Sequence, residues 1–505
     1  MLNDARVLVA DTPQLLDHLR DRLPQTYALQ LQQTTEESCR ILDTNTDALR
    51  HQGKLLAHCG RRLTLWGGPA PVSARWEGAE PAFKGDIADA ALLQAMGSVP
   101  KLRRLIPTLH FKQIRHRAAL LDDNAKTCAR FMAWTIQTGQ GGGTIVLLRP
   151  VRGYGEELAL LEAALQALGA SPDLTVVELF TRLGCQGHGY ASSRPIELRP
   201  DTPVLAAACG MIRNNLAIAR ANERGVIDDL DTEHLHDYRV SLRRVRSIIS
   251  LLKGAYRDDV QQSLKERFSE LMRSTNRLRD LDVYLLDRAS YYPLLPPTMH
   301  PGLDQIFAAF QKERDEQWRK LARHFRSKAY RQTMAELERG FARDDALPGG
   351  SQADAPSLDY AKALIARRYR KVCRIAMSID ADTPDETVHA LRLQCKKLRY
   401  LLDFFTPLFD EATIKRLITS LKQLQDNLGR FNDYSVQQLS LQAFLDGQLQ
   451  GEAPVSPGMI EAVGALVAIK HQLQRQERAL VMEKFAGFHS EETDAIVSHV
   501  FCGPG

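Results

Sequence analysis

The strongest constraint on the fold of this chain is an internal repeat in its C-terminal part. Residues 236–246 read HDYRVSLRRVR, and residues 389–399, at an offset of 153, read HALRLQCKKLR. At the same offset, NRLRDLDV at residues 276–283 is matched by GRFNDYSV at residues 429–436. A register that holds from one motif to the next indicates a duplicated supersecondary unit.

The sequence around both motifs is helical in character. From about residue 203 to about residue 485, glycine is rare and apolar residues recur at three- and four-residue spacing, which predicts long amphipathic helices. A Gly-Gly pair with prolines on both sides predicts a linker between the copies. We therefore expect an all-α domain at residues 205–500, made of two pseudo-symmetric four-helix bundles. Its parts are repeat one at 205–345, the linker at 346–357 and repeat two at 358–500.

Residues 1–195 have a different pattern, which predicts a separate α+β domain. Short apolar or alternating runs, typical of strands, occur at residues 6–10, 27–32, 63–66 and 144–148. Helical periodicity occurs at residues 13–23 and 156–168. Glycine clusters at residues 67–68 and 141–143 predict breaks between these elements.

The repeated helix has two faces of opposite character. At 100° per residue, one face spans about 80° and is cationic. It is formed by His236, Arg239, Arg243 and Arg246, with Arg244 on its flank. The opposite face is apolar and is predicted to lie in the core; its residues are Leu235, Leu242, Val245, Ile249 and Leu252.

The second copy repeats the cationic stripe with His389, Arg392, Lys396, Lys397 and Arg399, and residues 389–399 contain no carboxylate. The net charge is only +5, and residues 201–505 hold 43 Lys/Arg against 41 Asp/Glu, so bulk charge does not predict an anionic partner. A solvated helix face is the alternative interpretation, but such faces usually mix signs. Like charges at this spacing destabilise a helix by about 0.2–0.5 kcal/mol per pair. A stripe kept in both copies therefore predicts a mobile polyanion that neutralises it.

Histidine and aspartate accompany both stripes. His236 and His389 lie in the first turns of their helices, where a neutral imidazole can cap backbone groups, donate to an anion or simply pack. Asp280 and Asp433 recur at matching positions beside arginines. We expect these carboxylates to orient the arginines and not to act as acids or bases.

These two HxxRxxx[RK][RK]xR helices, each followed by an Asp-containing segment, resemble the CHAD domain, the conserved-histidine α-helical domain. The resemblance covers roughly residues 205–500. It implies two four-helix bundles related by a pseudo-two-fold axis, with the cationic helices lining a basic groove or pore that binds inorganic polyphosphate. The implied polyphosphate-binding residues are His236, Arg239, Arg243, Arg244, Arg246, Arg277, His389, Arg392, Lys396, Lys397, Arg399 and Arg430.

The N-terminal region resembles a degenerate CYTH domain, the triphosphate-tunnel β-barrel. The run CRILDTNTDALR at residues 39–50 is similar to a Tyr-Phe-Asp-Thr segment of that family, and Lys112, Arg115 and Arg117 resemble a later basic strand. The first strand of the family carries Glu-x-Glu-x-Lys, whose carboxylates hold a divalent metal, whereas residues 6–10 read RVLVA. Triphosphatase activity is therefore not expected, and neither a catalytic residue, a metal nor a cofactor is assigned.

Two other functions compete with non-catalytic polyphosphate binding. Nucleic acid would need aromatic platforms among the cations, and only Tyr238 and Tyr400 lie close to the stripes. Docking on a granule surface is a variant of the binding hypothesis. A metal-dependent phosphohydrolase is disfavoured because no pair of carboxylates has metal-binding spacing beside the cationic helices.

Composition narrows the cellular setting. No apolar run is long enough to span a membrane, and residues 1–6 lack the pattern of a signal peptide, so we expect a cytoplasmic protein, with polyphosphate granules as a location implied by resemblance. The eight cysteines are scattered, without a C-x-x-C pair or a His/Cys cluster. We therefore expect reduced thiols, with neither a zinc site nor a disulfide framework.

Overall fold

The structure is a computed structural model that describes residues 5–78, 80–192, 196–344, 346–380, 382–451 and 454–502. The chain divides into two compact units, Met1–Ser192 and Ser193–Gly505. The predicted ends of the N-terminal domain at residue 195 and of repeat one at residue 345 fall outside the described residues.

An eight-stranded antiparallel sheet forms the centre of the N-terminal unit, in the order β1-β8-β7-β6-β2-β3-β4-β5. The strands are β1 (Arg6–Ala10), β2 (Ala28–Asp43), β3 (Leu55–Cys59), β4 (Arg62–Trp66), β5 (Val72–Arg75), β6 (Ile106–Leu121), β7 (Thr127–Thr138) and β8 (Gly141–Pro150). The helices are α1 (Leu15–Arg22), α2 (Ala90–Met96), α3 (Gly155–Ala167) and α4 (Val176–Arg182), with short 3-10 turns at Arg50–Gln52 and Lys84–Asp86. The sheet is an open half-barrel with β1 and β5 at its edges, which confirms the predicted α+β barrel-like class.

Alternation along the strands places apolar side chains on both faces of this sheet. Leu8 and Ala10 of β1 belong to a buried cluster with residues of α1 and α3, whereas Val9 between them packs in a cluster that includes Leu179 of α4. This is the period of two expected for a strand that is covered on both sides.

Two expectations for the N-terminal unit were wrong. Residues 141–143 do not break the sheet but begin β8. The glycine at 143 serves close packing within the sheet and against α4, since a Cβ there would lie 2.8 Å from the carbonyl oxygen of Ala10 and 2.5 Å from Leu179. Cys39 and Cys59, expected as thiols, form a disulfide. They face each other across the β2–β3 register with their Cα atoms 4.3 Å apart, a pairing that their separation in sequence does not reveal.

The regular elements of the second unit are all helices among its described residues, and loops connect them. Its helices are α5 (Val204–Ile227), α6 (Thr232–Leu251), α7 (Asp258–Arg273), α8 (Asn276–Leu286), α9 (Arg288–Tyr291), α10 (His300–Arg326), α11 (Lys328–Gly340), α12 (Ser357–Ala376), α13 (Asp385–Phe405), α14 (Glu411–Leu449), α15 (Pro457–Ala479), α16 (Val481–Phe488) and α17 (Glu491–Val497). Short 3-10 turns lie at Tyr292–Leu294, Pro297–Met299 and Thr406–Leu408, and a π turn lies at Ser498–Cys502. No helix among the described residues combines the length and the apolar character that crossing a membrane requires.

The duplication read from the motifs extends to the helix boundaries. Helices α5 and α12, α6 and α13, α7 and α14, and α11 and α16 begin 153 residues apart in each case. The copies differ where repeat one breaks between α7 and α8 while α14 runs through the equivalent positions. The predicted all-α unit of two equivalent halves is confirmed.

One buried core joins the two halves. It contains Leu242 and Val245 of α6 together with Leu398 and Leu401 of α13. Because α6 and α13 both bury their apolar faces in this core and also contact each other, their remaining faces are held in a fixed relation. This packing positions the cationic stripes.

The predicted linker is packed against repeat one. The N–H of Gly350 donates to the carbonyl of Ala255 at 3.1 Å, and the N–H of Gln352 donates to the carbonyl of Gly254 at 2.8 Å. A Cβ on Gly350 would lie 2.4 Å from the carbonyl oxygen of Tyr256, so glycine is required for this approach. The segment is therefore an ordered connection between the repeats.

Candidate functional site

Helix α6 buries its apolar face and leaves most of its cations outside the core. Leu242 and Val245 are fully buried, as predicted from the stripe. The helix begins at an Asp231 cap, whose carboxylate accepts hydrogen bonds from the N–H groups of Glu233 at 3.0 Å and His234 at 3.1 Å. The cap and the core face together fix which side of the helix carries the arginines.

Helix α13 presents the equivalent arrangement in repeat two. Leu391, Cys395 and Leu398 are buried, while Arg392 and Lys396 are partly exposed. The core positions recur at three- and four-residue spacing, as the helical period requires.

The two stripes come together through the contact between α6 and α13. Burial lowers the pKa of Arg392, and the nearby charge of Arg243 on α6 lowers it further against the opposing effect of Asp433. Burial lowers the pKa of Lys396 to about 8, with further contributions from Arg392 and Arg243. Residues 153 positions apart in sequence thus share one electrostatic environment.

Further cations of repeat one extend this group. Burial lowers the pKa of His236, and the charges of Arg279 and Arg243 add to the effect. Burial also lowers the pKa of Arg239 to about 10, again with Arg243 and Arg279 nearby. We call the group the α6–α13 basic cluster; it consists of His236, Arg239, Arg243, Arg279, Arg392 and Lys396.

Arg239 is the most enclosed member of the cluster and also has a structural role. Its Nη1 donates to Thr275 Oγ1, to Asn276 Oδ1 at 2.8 Å and to the carbonyl of Met272 at 3.4 Å. These bonds tie α6 to the break between α7 and α8. Its Nε is buried without a hydrogen-bond partner.

The two predicted orienting carboxylates accompany the cluster. Asp433 Oδ1 lies 4.0 Å from Nη2 of Arg392. Burial raises the pKa of Asp280, while the charges of Arg239, Arg277 and Arg279 lower it. Both aspartates therefore lie where they interact with arginines of the stripes.

Arg277 and Arg430, predicted as ligand-binding residues, are both held by carboxylates of neighbouring helices. Arg277 of α8 bonds to both carboxylate oxygens of Glu313 on α10, with its Nε at 2.6 Å from Oε1. Arg430 of α14 bonds to both oxygens of Glu477 on α15, at 2.6 and 3.1 Å. Both pairs connect neighbouring helices, which is a structural role that the sequence interpretation did not include.

The remaining predicted residues are not all brought into the cluster. Nε of Arg399 lies 3.0 Å from each oxygen of Asp403. The His389 ring packs on Phe431 with the centroids 5.1 Å apart. Lys397 lies beside Arg368, Lys371 and Lys253, a separate group of cations.

On α6, Arg244 is half-buried and Arg246 is exposed. Neither forms an ion pair or a side-chain hydrogen bond with another described residue.

Arg279 is the residue that the predicted site omitted. Its Nη1 lies 3.4 Å from the carbonyl of Thr232 at the start of α6, which holds it beside His236. The equivalent position in repeat two is Asn432, so Arg279 is not among the cations that the two copies share. The sequence did offer one indication of its role, because Arg279 directly precedes Asp280, which was predicted to orient arginines.

The N-terminal unit contains a cavity of about 1020 Å³ over one part of its sheet. Its lining includes Arg40, His58, Glu80, His110 and Lys112. The first strand contributes no carboxylate, because β1 reads RVLVA. Among the described residues of the chain, no group of three or more His, Cys, Asp or Glu side chains is arranged to hold a metal ion.

The fold and the site define a tandem-repeat helical protein in which two equivalent helices bring their cations together. A family model described as the CHAD domain matches residues 210–442. Residues 210–442 of the helical unit are therefore a CHAD domain, and the open sheet of the N-terminal unit is consistent with the CYTH-like resemblance.

Solved structures resemble this chain to different degrees. The CHAD domain from the plant Ricinus communis is 25% identical, with a TM-score of 0.50, and the match covers 60% of this chain and 98% of that one. PptA from Streptomyces chartreusis is 14% identical with a TM-score of 0.43 over 56% of this chain and 99% of that one. The PH1819 protein from Pyrococcus horikoshii OT3 is 11% identical with a TM-score of 0.22 over 35% and 98% of the two chains. No curated protein matches the sequence.

Proposed function

We propose that the helical unit binds inorganic polyphosphate at the α6–α13 basic cluster and does so without catalysing a reaction. The observation that carries this proposal is the approach of Arg243 from one repeat to Arg392 and Lys396 from the other. Neither Arg243 nor Lys396 is paired with a carboxylate in the described part of the chain. A ligand that brings several negative charges satisfies both repeats at once.

The electrostatics of the cluster favour a polyanion over a structural role for these cations. The pKa of Lys396 is lowered to about 8 because burial and the neighbouring arginines make its charged form less stable than it is in water. The buried Nε atoms of Arg239 and Arg392 lack hydrogen-bond partners, a state that costs about 1–3 kcal/mol for a polar group. Phosphate oxygens relieve both costs, since guanidinium groups bind them through paired, charge-assisted hydrogen bonds.

Nucleic acid fits this site less well than polyphosphate. Tyr238, one of the two aromatic residues near the stripes, is fully buried with its hydroxyl 3.0 Å from that of Tyr330, so it is not available to stack on a base. Tyr400 stacks on Phe404 of its own helix, with the ring centroids 5.8 Å apart. A polymer of phosphate needs only oxyanion contacts, which the cluster offers. The same contacts would allow the chain to dock on a polyphosphate granule.

The non-catalytic part of the proposal is supported by the residues around the cluster. Asp280 and Asp433 lie beside arginines, which favours a role in positioning cations. In the N-terminal unit, β1 offers Arg6, Val7, Leu8 and Val9 where the CYTH resemblance implies metal-binding carboxylates. Release of orthophosphate from tripolyphosphate or long-chain polyphosphate, with magnesium or manganese present, would contradict this part.

Binding is tested by titrating the full chain with long-chain polyphosphate over a series of salt concentrations. We expect tight binding whose logarithm falls linearly with the logarithm of salt concentration, because bound cations displace condensed counterions. The cluster variant Arg243→Ala/Lys396→Ala should bind at least roughly tenfold more weakly, since two charged contacts are lost. Neither side chain belongs to the core, so the fold should survive.

A matched control removes two cations elsewhere. Arg319 and Arg323 are exposed and one turn apart on α10. The variant Arg319→Ala/Arg323→Ala has the same net charge as the cluster variant and should bind as the unchanged protein does. Equal weakening in both variants would mean that only overall charge matters and would overturn the proposed site.

A further inference from the structure

A second group of cations lies beside α13, apart from the α6–α13 basic cluster. Lys397 follows Lys396 in sequence, but one step along a helix rotates a side chain by about 100°. Its electrostatic neighbours are Arg368, Lys371 and Lys253, and not Arg243 or Arg392. The two adjacent lysines therefore belong to different environments.

Three of these cations, Lys253, Arg368 and Lys371, line a cavity of about 650 Å³. It is bounded by the end of α6, by the ordered connection between the repeats and by α12, and its lining includes Lys253, Gln352, Tyr360, Arg367 and Lys371. The hydroxyl of Tyr360 donates to the carbonyl of Lys253 at 2.8 Å and so joins α12 to the end of α6. The volume falls within the range of about 300–1,000 Å³ typical of small-ligand sites.

The charge around this cavity is strongly unbalanced. Among its described lining residues, Asp359 is the one carboxylate. Lys253, Arg367 and Lys371 are exposed and form no ion pair with any described residue. A cavity with this lining attracts a small anion that carries several negative charges.

Arg368 also lines the cavity and is held in place by a neighbouring helix. Its Nη1 donates to Gln394 Oε1 on α13, while its Nε is buried without a partner. Burial lowers its pKa, and the charge of Arg367 lowers it further. The guanidinium is thus fixed by one bond and still has an unsatisfied donor.

The second group is not a product of the duplication. At the offset of 153, the positions equivalent to Arg367, Arg368 and Lys371 are Asn214, Asn215 and Ile218. Ile218 is buried in repeat one, so that half has no corresponding cationic cavity at these positions. The α12 cations of the cavity are a feature of repeat two, which the shared motif does not predict.

We propose that this cavity is a separate binding site for a compact, multiply charged phosphate anion, either a free oligophosphate or the end of a longer chain. Two guanidinium groups from adjacent residues, Arg367 and Arg368, provide paired donors for phosphate oxygens. Lys253, after the end of α6, and Lys371 of α12 add ammonium charges to the lining, and Lys397 of α13 lies near them. The site does not depend on long-chain binding at the α6–α13 basic cluster.

The test uses calorimetric titration of the full chain with tripolyphosphate as the probe. The cavity variant Arg367→Ala/Lys371→Ala should lose affinity by roughly tenfold or more, because two charged contacts are removed. The conservative variant Arg367→Lys/Lys371→Arg should retain most of the affinity. Both side chains are exposed, so circular dichroism and thermal melting should be unchanged.

The cluster and control variants make this test independent of the proposed function. Arg319→Ala/Arg323→Ala should bind tripolyphosphate within about twofold of the unchanged protein, and Arg243→Ala/Lys396→Ala should keep the binding that the cavity variant loses. The proposal is overturned if the cavity variant also stays within that range. It is overturned as well if the cluster variant loses as much affinity as the cavity variant, since the two groups would then form one site.

A competition experiment identifies the source of the anion. Long-chain polyphosphate is added to the full chain before titration with tripolyphosphate. If the cavity takes chain ends, the apparent affinity for tripolyphosphate falls in the cluster variant as well, because the competing chain occupies the cavity itself. If the cavity takes only free oligophosphate, the long chain leaves the affinity of the cavity for tripolyphosphate unchanged. Either result supports the cavity as a site, provided that the cavity variant has lost binding.

Discussion

Lys396 connects residue-scale electrostatics to ligand binding. Its pKa is lowered to about 8 by burial and by Arg392 and Arg243, with Asp433 acting in the opposite direction. A phosphate bound beside it favours the charged form and raises that pKa. Binding at pH values above about 8 therefore requires proton uptake, and none is needed well below it.

The affinity for polyphosphate should fall as the pH rises through about 8 and towards 10. Lys396→Arg should remove most of this decrease, because arginine stays protonated throughout the range. The measurement is a set of titrations at constant ionic strength from neutral to alkaline pH. A decrease of the same size in Lys396→Arg would show that another group titrates.

The same residue gives the unliganded protein an unusual pH dependence of stability. The folded-state pKa of Lys396 lies below its usual value of 10.5, so the unfolded chain binds more protons between about 8 and that value. The contribution of Lys396 to stability therefore increases as the pH rises through this window. Bound polyphosphate should reduce the increase.

Arg239 and Arg243 lie on one stripe but should respond differently to mutation. Arg239→Ala removes the bonds from α6 to Met272, Thr275 and Asn276, and should lower the free energy of unfolding by roughly 1.5–3 kcal/mol. Arg243→Ala, at an exposed position, should change it by less than about 0.5 kcal/mol while weakening polyphosphate binding. Urea unfolding checks both values, and similar losses in the two variants would contradict the assigned roles.

At the scale of single helices, a close crossing between α10 and α15 gives a sharp test of packing. A Cβ on Gly302 would lie 2.0 Å from the carbonyl oxygen of Gly458, a backbone atom that has little freedom to move. Gly302→Ala should therefore force the helices apart and destabilise the fold by roughly 1–3 kcal/mol.

Gly429 is the matched position without such a contact. It lies inside α14, and a Cβ there would meet no atom within 4 Å. Gly429→Ala should stabilise the protein by about 0.5–1 kcal/mol, because alanine loses less backbone entropy in a helix. Thermal unfolding of the two variants should therefore shift in opposite directions, and a stabilising effect of Gly302→Ala would refute the crossing.

The sequence predicted much at this scale because helix periodicity is a local property. The core face of α6, with Leu242 and Val245, followed from the pattern alone. Contacts between segments that are distant in sequence could not be predicted from this pattern. The bond of Arg239 to Thr275, the pairing of Arg430 with Glu477 and the turn of Lys397 towards Arg368 depend on how helices pack, which periodicity does not contain.

Duplication accounts for the architecture of the helical unit as a whole. The repeat offset recurs at helix starts as far apart as α5 and α11 in the first half, so the second half follows the first over most of its length. The two proposed binding sites depend both on residues that the repeats share and on residues that differ between them. The shared stripes meet at one basic cluster, while the α12 cations that line the second cavity occur in repeat two alone.

Two compact units, each with its own buried clusters, predict two separable unfolding transitions. Polyphosphate at about one hundred times its dissociation constant should stabilise the helical unit by about 2.7 kcal/mol and raise only its transition temperature. Reduction of the Cys39–Cys59 disulfide, which closes a loop with a sequence separation of 20, should lower only the transition of the N-terminal unit. The expected loss is about 3 kcal/mol.

Differential scanning calorimetry of the full chain, with polyphosphate and reductant added singly and together, measures both effects. Arg243→Ala/Lys396→Ala should abolish the polyphosphate shift and leave the reductant shift unchanged, because the disulfide lies in β2 and β3 of the other unit. A polyphosphate shift that persists in this variant, or one that appears in the transition lowered by reductant, would place the long-chain site outside the α6–α13 basic cluster.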